Sequence, residues 1–417
     1  MSNGGENSNT GSLSVPFHVP SIGEDEINEV VATLRSGWLT TGPRTAQFER
    51  EFRAYVGASH ALAVNSCTAG LHLALAALEI GSGDEVITTP LTFCATVNAI
   101  LHVGATPVLA DVGEDGNLDP ASVRERITER TRAIVPVHLA GLPCDMGTLW
   151  SLARRFRLRV VEDAAHASGS RERGRPIGAG AAKGGRHSDA VAFSFYATKT
   201  MTTGEGGMVV TENASLAERM RVLCLHGISK DAWNRYSERG NWYYEVLCPG
   251  FKYNLSDIQS AIGLHQLRKL EHFVQIRTEI ASRYNSALSG VTEVELPPDR
   301  PSARHSWHLY MLRLHLDRIQ IDREEFIRAL RWRGIGTSVH FIPIPLHPFF
   351  AASAGRPENH CPRALALYPR LVSLPLYPAM TDWQIEHVIA SVKQILLATR
   401  RAKSFGVSSV ASGSRVS

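Results

Sequence analysis

From His60 onward the chain repeats one pattern: a short apolar run, a turn, a helical stretch, and then another apolar run. The runs stand at residues 61–64, 85–88, 106–110, 133–137 and 159–162. Helical patterns at 71–78, 120–130 and 147–156 separate several of them. Parallel strands need long crossovers of this kind, and a strand covered on both faces reads as an unbroken apolar run. The pattern therefore predicts an α/β fold with a largely parallel sheet. Ligands of such sheets bind beyond the carboxyl ends of the strands, so the polar residues just after each run are the informative ones.

Three strand ends stand out. After 61–64 comes N-S-C-T-A-G (65–70), where Ser66, Cys67 and Thr68 precede a helix. Free N–H groups and the dipole at a helix start attract an anion, by roughly 0.3–1 kcal/mol. A hydroxyl there can equally be a plain helix cap. After 85–88, T-P-L-T-F-C-A-T sets Phe93 in a loop, where its ring either covers a flat ligand or packs into the core. After 159–162, E-D-A-A-H-A brings in Asp163 and His166. A carboxylate in that place can hold a pyridinium nitrogen protonated through a charge-assisted hydrogen bond of about 1.5–3 kcal/mol. The alternative is a helix-capping Asp163 beside a satisfied, partly buried His166.

The stretch 188–211, S-D-A-V-A-F-S-F-Y-A-T-K-T-M-T-T-G-E-G-G-M-V-V-T, contains two more apolar runs, at 190–195 and 208–211. It delivers Lys199 just past the first of them, in a turn rich in Thr and Gly. Lysine is seldom buried without a partner. Lys199 reads either as a Schiff-base lysine for an aldehyde cofactor such as pyridoxal phosphate (PLP), or as an exposed loop lysine.

The remainder bounds the organisation. A chain of 417 residues is long for one small domain. Ser21 and Glu24 read as a capping box opening a helix with Ile27, Val30, Val31 and Leu34 at helical spacing, closed by Gly37. Ser256 and Gln259 read as another, opening a helix that runs past Phe273. A boundary on or just after that helix gives a large domain, 15–277, and a smaller α/β domain, 278–402. The Ser/Asn/Gly-rich ends, 1–14 and 403–417, read as disordered tails. A formal charge of only +4, with both signs interspersed, argues against nucleic acid as the main partner. Six cysteines without a C-x-x-C pair argue against a disulfide framework or a metal site and for a reducing cytoplasm. No apolar run is long enough to suggest a membrane span.

Read together, N-S-C-T-A-G, V-P-V-H-L-A-G-L-P-C-D-M (135–146), E-D-A-A-H-A, F-S-F-Y-A-T-K-T-M-T-T-G-E-G-G, G-F-K-Y-N-L-S-D-I-Q, T-S-V-H-F-I-P (337–343) and S-L-P-L-Y-P-A-M-T (373–381) resemble the DegT/DnrJ/StrS family of PLP-dependent sugar aminotransferases. The resemblance spans residues 15–398. It implies the aspartate aminotransferase-like fold, PLP-dependent transferase fold type I, in a homodimer with active sites at the subunit interface. By the same resemblance Lys199 matches the cofactor-bearing lysine and Asp163 the partner of the ring nitrogen. His166 falls at the ring-side position and Phe93 at the stacked aromatic. Cys67 and Thr68 match the phosphate-binding turn, Ser194 adds a hydroxyl, and Asn254 matches an asparagine that reaches the neighbouring subunit's phosphate.

The family's sugar dehydratases carry histidine in place of the lysine, so Lys199 supports transamination. The segment 178–187 is a departure, being longer than the family's usual link. The implied substrates are L-glutamate and a nucleotide-linked keto sugar. His166, in place of the glutamine common in C3 enzymes, points to a UDP- or dTDP-linked 4-keto sugar. The alternatives are a C3 keto sugar or a keto-cyclitol of antibiotic biosynthesis, or a PLP-binding regulatory protein without turnover.

Overall fold

The computed structural model describes residues 14–180, 187–229, 243–351 and 361–401. The expected terminal tails, Ser14 apart, lie outside the described residues, as do residues 181–186 of the long link before Lys199.

The apolar runs become one seven-stranded sheet. Its strands are β1 (His60–Val64), β2 (Glu85–Thr88), β3 (Thr106–Leu109), β4 (Thr131–Val135), β5 (Arg159–Asp163), β8 (Ala190–Ser194) and β9 (Gly207–Thr211). They lie in the order β1-β9-β8-β5-β4-β2-β3. Only β9 runs against the rest, pairing antiparallel with both β1 and β8. The short β6 (Arg171–Glu172) and β7 (Arg175–Pro176) pair with each other, and β11 (Ala303–Arg304) pairs with β6.

Helices cover both faces of the large sheet. On one side α3 (Cys67–Ala77) and α7 (Ala214–Cys224) bury Leu71, Leu75, Leu216 and Met220 against the strands. On the other, α2 (Pro43–Val56) contributes Phe48 and Phe52, which meet Leu264, Leu267 and Val274 of α8 (Asp257–Leu288). The same helix then enters a second core through Ile280, Tyr284 and Leu288. That core is built on β10 (Val294–Glu295), β12 (Tyr310–Leu314) and β13 (Leu371–Leu374), with α9 (Arg323–Trp332) and α12 (Asp382–Thr399) packed against them. One 32-residue helix thus ties the two cores together. Arg277, fully buried along it, donates from Nη1 to the carbonyls of Trp307, His308 and Leu376, at 3.2, 3.4 and 2.7 Å.

Several sequence expectations shift. Ser21 and Glu24 do not form a capping box. The first helix, α1 (Glu24–Ser36), starts behind Gly23, and Glu26 turns back to accept the Gly23 N–H at 2.9 Å. The reason is tertiary: Glu26 is buried and accepts from Lys269 and Gln266 of α8. The polar face of α1 consequently packs inward, leaving Ile27 and Leu34 47% and 51% exposed. The helix expected from residue 71 already begins at Cys67, because the Ser66 hydroxyl caps it by accepting from the Ala69 N–H. The helix expected over 120–130, α5 (Pro120–Arg126), stops sooner, and β4 begins two residues before its expected start. The box at Ser256 and Gln259 does form, at the start of α8.

Candidate active site

The flagged strand ends open into one cavity of about 510 Å³. Ser66, Cys67 and Thr68 line it from the end of β1, and Phe93 from the loop after β2. Asp163 and His166 line it from the end of β5, Ser194 from the end of β8 and Lys199 from the turn after it. Asn254 does not line it. Its amide donates instead to the Thr41 hydroxyl at 2.7 Å and accepts from the Lys252 ammonium at 2.6 Å.

Lys199 is held by a folded-back turn. Its N–H donates to the Tyr196 carbonyl, and the Phe195 carbonyl receives the Thr203 N–H and the Thr202 hydroxyl. Gly204 follows at φ +78°, a left-handed conformation that suits glycine. Burial pushes the Lys199 amine down to about 8, a fall that Asp163 and then Cys67 limit. It is not an exposed loop lysine.

Asp163 is the carboxylate at the cavity floor. Its Oδ2 accepts from the Thr96 hydroxyl at 2.8 Å and its Oδ1 from the Ala165 N–H at 3.1 Å. The Cys67 thiol lies 3.9 Å from Oδ1. Because Thr96 donates to Asp163, the Thr92 hydroxyl, 2.7 Å from Thr96, is the donor in that pair. No ion pair forms to Asp163 among the described residues, and burial pushes its carboxyl up despite these donors. A cationic ring nitrogen would supply what this carboxylate lacks.

His166 is buried, and its Nδ1 accepts the Ala140 N–H at 3.2 Å, so the neutral ring carries its proton on Nε2. Burial holds it well below the usual histidine range. Its ring lies 4.4 Å from that of His308 and stacks on Phe341 at 5.7 Å. Phe93 is not a core residue. It is 60% exposed, with its ring 6.1 Å from Phe341.

At the β1–α3 turn, the N–H groups of Cys67 and Thr68 have no acceptor among the described residues. The backbone comes unusually close there: a Cβ on Gly207 would stand 2.8 Å from the Cys67 nitrogen and 2.7 Å from the Phe193 carbonyl. Only glycine lets the helix start sit down on β9. The chemistry of the set suits PLP: an anion-seeking helix start, a buried carboxylate with no ion pair among the described residues, and an amine lowered by burial, all in one cavity.

Sequence reasoning missed several lining groups. Thr92 and Thr96 flank Phe93 in T-P-L-T-F-C-A-T, where a threonine hydroxyl carries no local signal of a site. His340 and Phe341 lay in T-S-V-H-F-I-P without a role. His18 and His308 carried no local signal. His18 is pushed down to about 4 by burial and then by Arg277, and His340 to about 4 by burial and then by Lys199.

The model of the DegT/DnrJ/EryC1/StrS aminotransferase family matches residues 20–393. The chain belongs to that family. It is 50% identical over 384 residues to the spore coat polysaccharide biosynthesis protein SpsC of Bacillus subtilis, covering 92% of this chain and 97% of that one. The PLP form of the putative sugar aminotransferase Spr1654 from Streptococcus pneumoniae is 33% identical with a TM-score of 0.83, covering 92% and 99% of the two chains. Helicobacter pylori PseC, an aminotransferase involved in the biosynthesis of pseudoaminic acid, is 30% identical with a TM-score of 0.84 over the same shares. This DegT/DnrJ/EryC1/StrS member is a PLP-dependent sugar aminotransferase with the fold of that class.

Proposed function

We propose that this aminotransferase moves an amino group from L-glutamate to a nucleotide-linked keto sugar, most specifically a UDP- or dTDP-linked 4-keto sugar. The observation that carries the reading is the convergence of Lys199, Asp163 and the open start of α3 in one cavity. In this reading Lys199 carries PLP and moves a proton to and from the substrate's amino carbon. Asp163 pairs with the ring nitrogen, His166 lies beside the ring and Phe93 covers it. The phosphate is held by the N–H groups of Cys67 and Thr68 with the Ser194 hydroxyl. When bound, PLP supplies an electron sink for the carbanion at the amino carbon. Incubation with glutamate and a panel of nucleotide-linked 4-keto and 3-keto sugars, read by mass spectrometry, tests the substrates. Amination of 3-keto sugars alone would discard the 4-keto assignment.

Lys199 gives a pH signature. Its amine is half deprotonated near 8 rather than 10.5. Capture of added PLP by the stripped protein should therefore accelerate as pH rises, with a midpoint near 8. Stopped-flow absorbance checks this, and a midpoint near 10.5 would mean that the amine is not desolvated.

The homodimer belongs to the same proposal, as do its cytoplasmic setting and a division of the chain at 277/278. Ile27 and Leu34 on α1, with Trp38 and Leu39 just after it, are exposed apolar side chains. Asn254, turned away from its own cavity, would serve the partner's phosphate. Lys199→Ala and Asn254→Ala chains should then complement each other. In a mixed dimer one site keeps both residues, so activity should recover to about half per mixed dimer. Absence of recovery after demonstrated subunit exchange, with Asn254→Ala impaired by itself, would return Asn254 to its own chain's site.

A further inference from the structure

Beneath the cavity floor runs a buried polar chain with no part in the chemistry described so far. Glu162 precedes Asp163 on β5, so its side chain leaves the opposite face of the sheet. Its Oε2 accepts from His138 Nε2 at 2.8 Å, and its Oε1 accepts from the Ser188 hydroxyl. Ser188 in turn accepts from the Trp150 indole at 2.8 Å. The other nitrogen of His138, Nδ1, accepts the Cys144 N–H at 3.0 Å, which fixes the proton of His138 on Nε2. His138, Glu162 and Ser188 are all buried, and the backbone N–H of His138 donates to the Asp163 carbonyl at 3.2 Å.

His138 and Cys144 bracket the turn Leu139–Gly141. Inside it Ala140 sits at φ +59°, a left-handed conformation that costs a non-glycine residue about 1 kcal/mol and persists only where its surroundings impose it. From that conformation the Ala140 N–H reaches His166 Nδ1. The turn has other ties as well: Asn117 Oδ1 accepts the Leu139 N–H, and the Ala140 carbonyl accepts the Leu309 N–H. The Gly141 carbonyl accepts from the Ser170 hydroxyl and the Ser306 N–H. Among the described residues, the side-chain tie to β5, the strand that bears Asp163, is the one through His138, beside the backbone bond from the Asp163 N–H to the Pro136 carbonyl.

We infer that His138 and Glu162 are positioning residues: they hold the Leu139–Gly141 turn so that Ala140 occupies His166 Nδ1 and the cavity meets a donating Nε2–H. The alternative tautomer would need an acceptor where Ala140 places a donor. A neutral imidazole can present either face to a ligand, and the bond made by its other nitrogen decides which. Asp163 and His166 are thereby set by one network, through the β5 backbone and through the turn. The inference rests on the transaminase reading for its kinetic consequence but not for its geometry.

The test uses PLP-loaded enzyme labelled with ¹⁵N in histidine, with the His166 signals assigned by their loss in His166→Gln. Wild type should show a proton on Nε2 and a bare Nδ1. In Glu162→Ala the His166 signals should move toward mixed-tautomer values. The amino-donor half-reaction should slow about tenfold while PLP retention changes less than about twofold. Glu162→Gln keeps an acceptor for His138 and should return the rate to within about threefold of wild type. If Glu162→Ala does not fold, His138→Asn replaces it, since Asn can still accept from Cys144 but cannot reach Glu162. Unchanged His166 nitrogen signals in a folded variant overturn the inference, whatever the rate does. A wild type that accepts no amino group from any donor would instead sink the transaminase reading and leave the nitrogen readout standing.

Discussion

Lys199→Ala should lose turnover by at least roughly 10²–10⁴-fold, the range expected when a positioned acid–base group is removed, and by more where covalent attachment of PLP is also lost. The fold should survive. A lysine lowered from 10.5 to about 8 by burial is a charge that the folded state would rather not hold. The sign follows: the penalty is fully present below pH 8, where both states are protonated, and it fades between 8 and 10.5 as the folded amine goes neutral first. Stripped Lys199→Ala should therefore melt no lower than stripped wild type at pH 7, with the difference shrinking as pH rises. Scanning calorimetry across that range checks this. In parallel, borohydride reduction and peptide mapping of wild type should find the pyridoxyl group on Lys199. Finding it on Lys183, Lys230 or Lys252 would remove the assignment.

Asp163→Asn should slow the amino-donor half-reaction by about ten- to a hundred-and-fifty-fold, the rate equivalent of a charge-assisted hydrogen bond worth about 1.5–3 kcal/mol. Asparagine keeps an acceptor for the Thr96 hydroxyl but loses the charge. The carboxylate of Asp163 has two hydrogen-bond donors and a nearby thiol but no ion pair among the described residues, so a cationic ring would be its one strong partner. PLP retention should change far less than rate, because the phosphate end of the cavity is untouched. Stopped-flow rates within a few-fold of wild type would show that Asp163 does not face the ring nitrogen.

Much of this site was legible because its signals are local. Asp163 ends β5, and Lys199, Phe93 and Thr68 each stand within five residues of a strand's end, which is set by the few residues that form it. What misled was also local. At α1 the S-x-x-E spacing was satisfied, yet Glu26 took the cap because it is paired with Lys269 and Gln266, some 240 residues along the chain. No pattern within one helix turn carries that information. His166 shows the division within one residue. Its place after β5 is plain from E-D-A-A-H-A, whereas its tautomer depends on Ala140, itself held by His138 and Glu162.

The sequence by itself determined the alternating architecture, the parallel sheet and the strand ends at which chemistry would sit, since apolar periodicity and capping act over a few residues. Tertiary structure decided the rest. It brought His308, His340 and Phe341, from far along the chain, onto a cavity lined by the ends of β1, β5 and β8. It turned the polar face of α1 inward, and it set the lowered amine of Lys199 and the raised carboxyl of Asp163. Those shifts come from desolvation, a property of everything packed around a group. For these residues that surrounding is assembled from segments far apart in the chain.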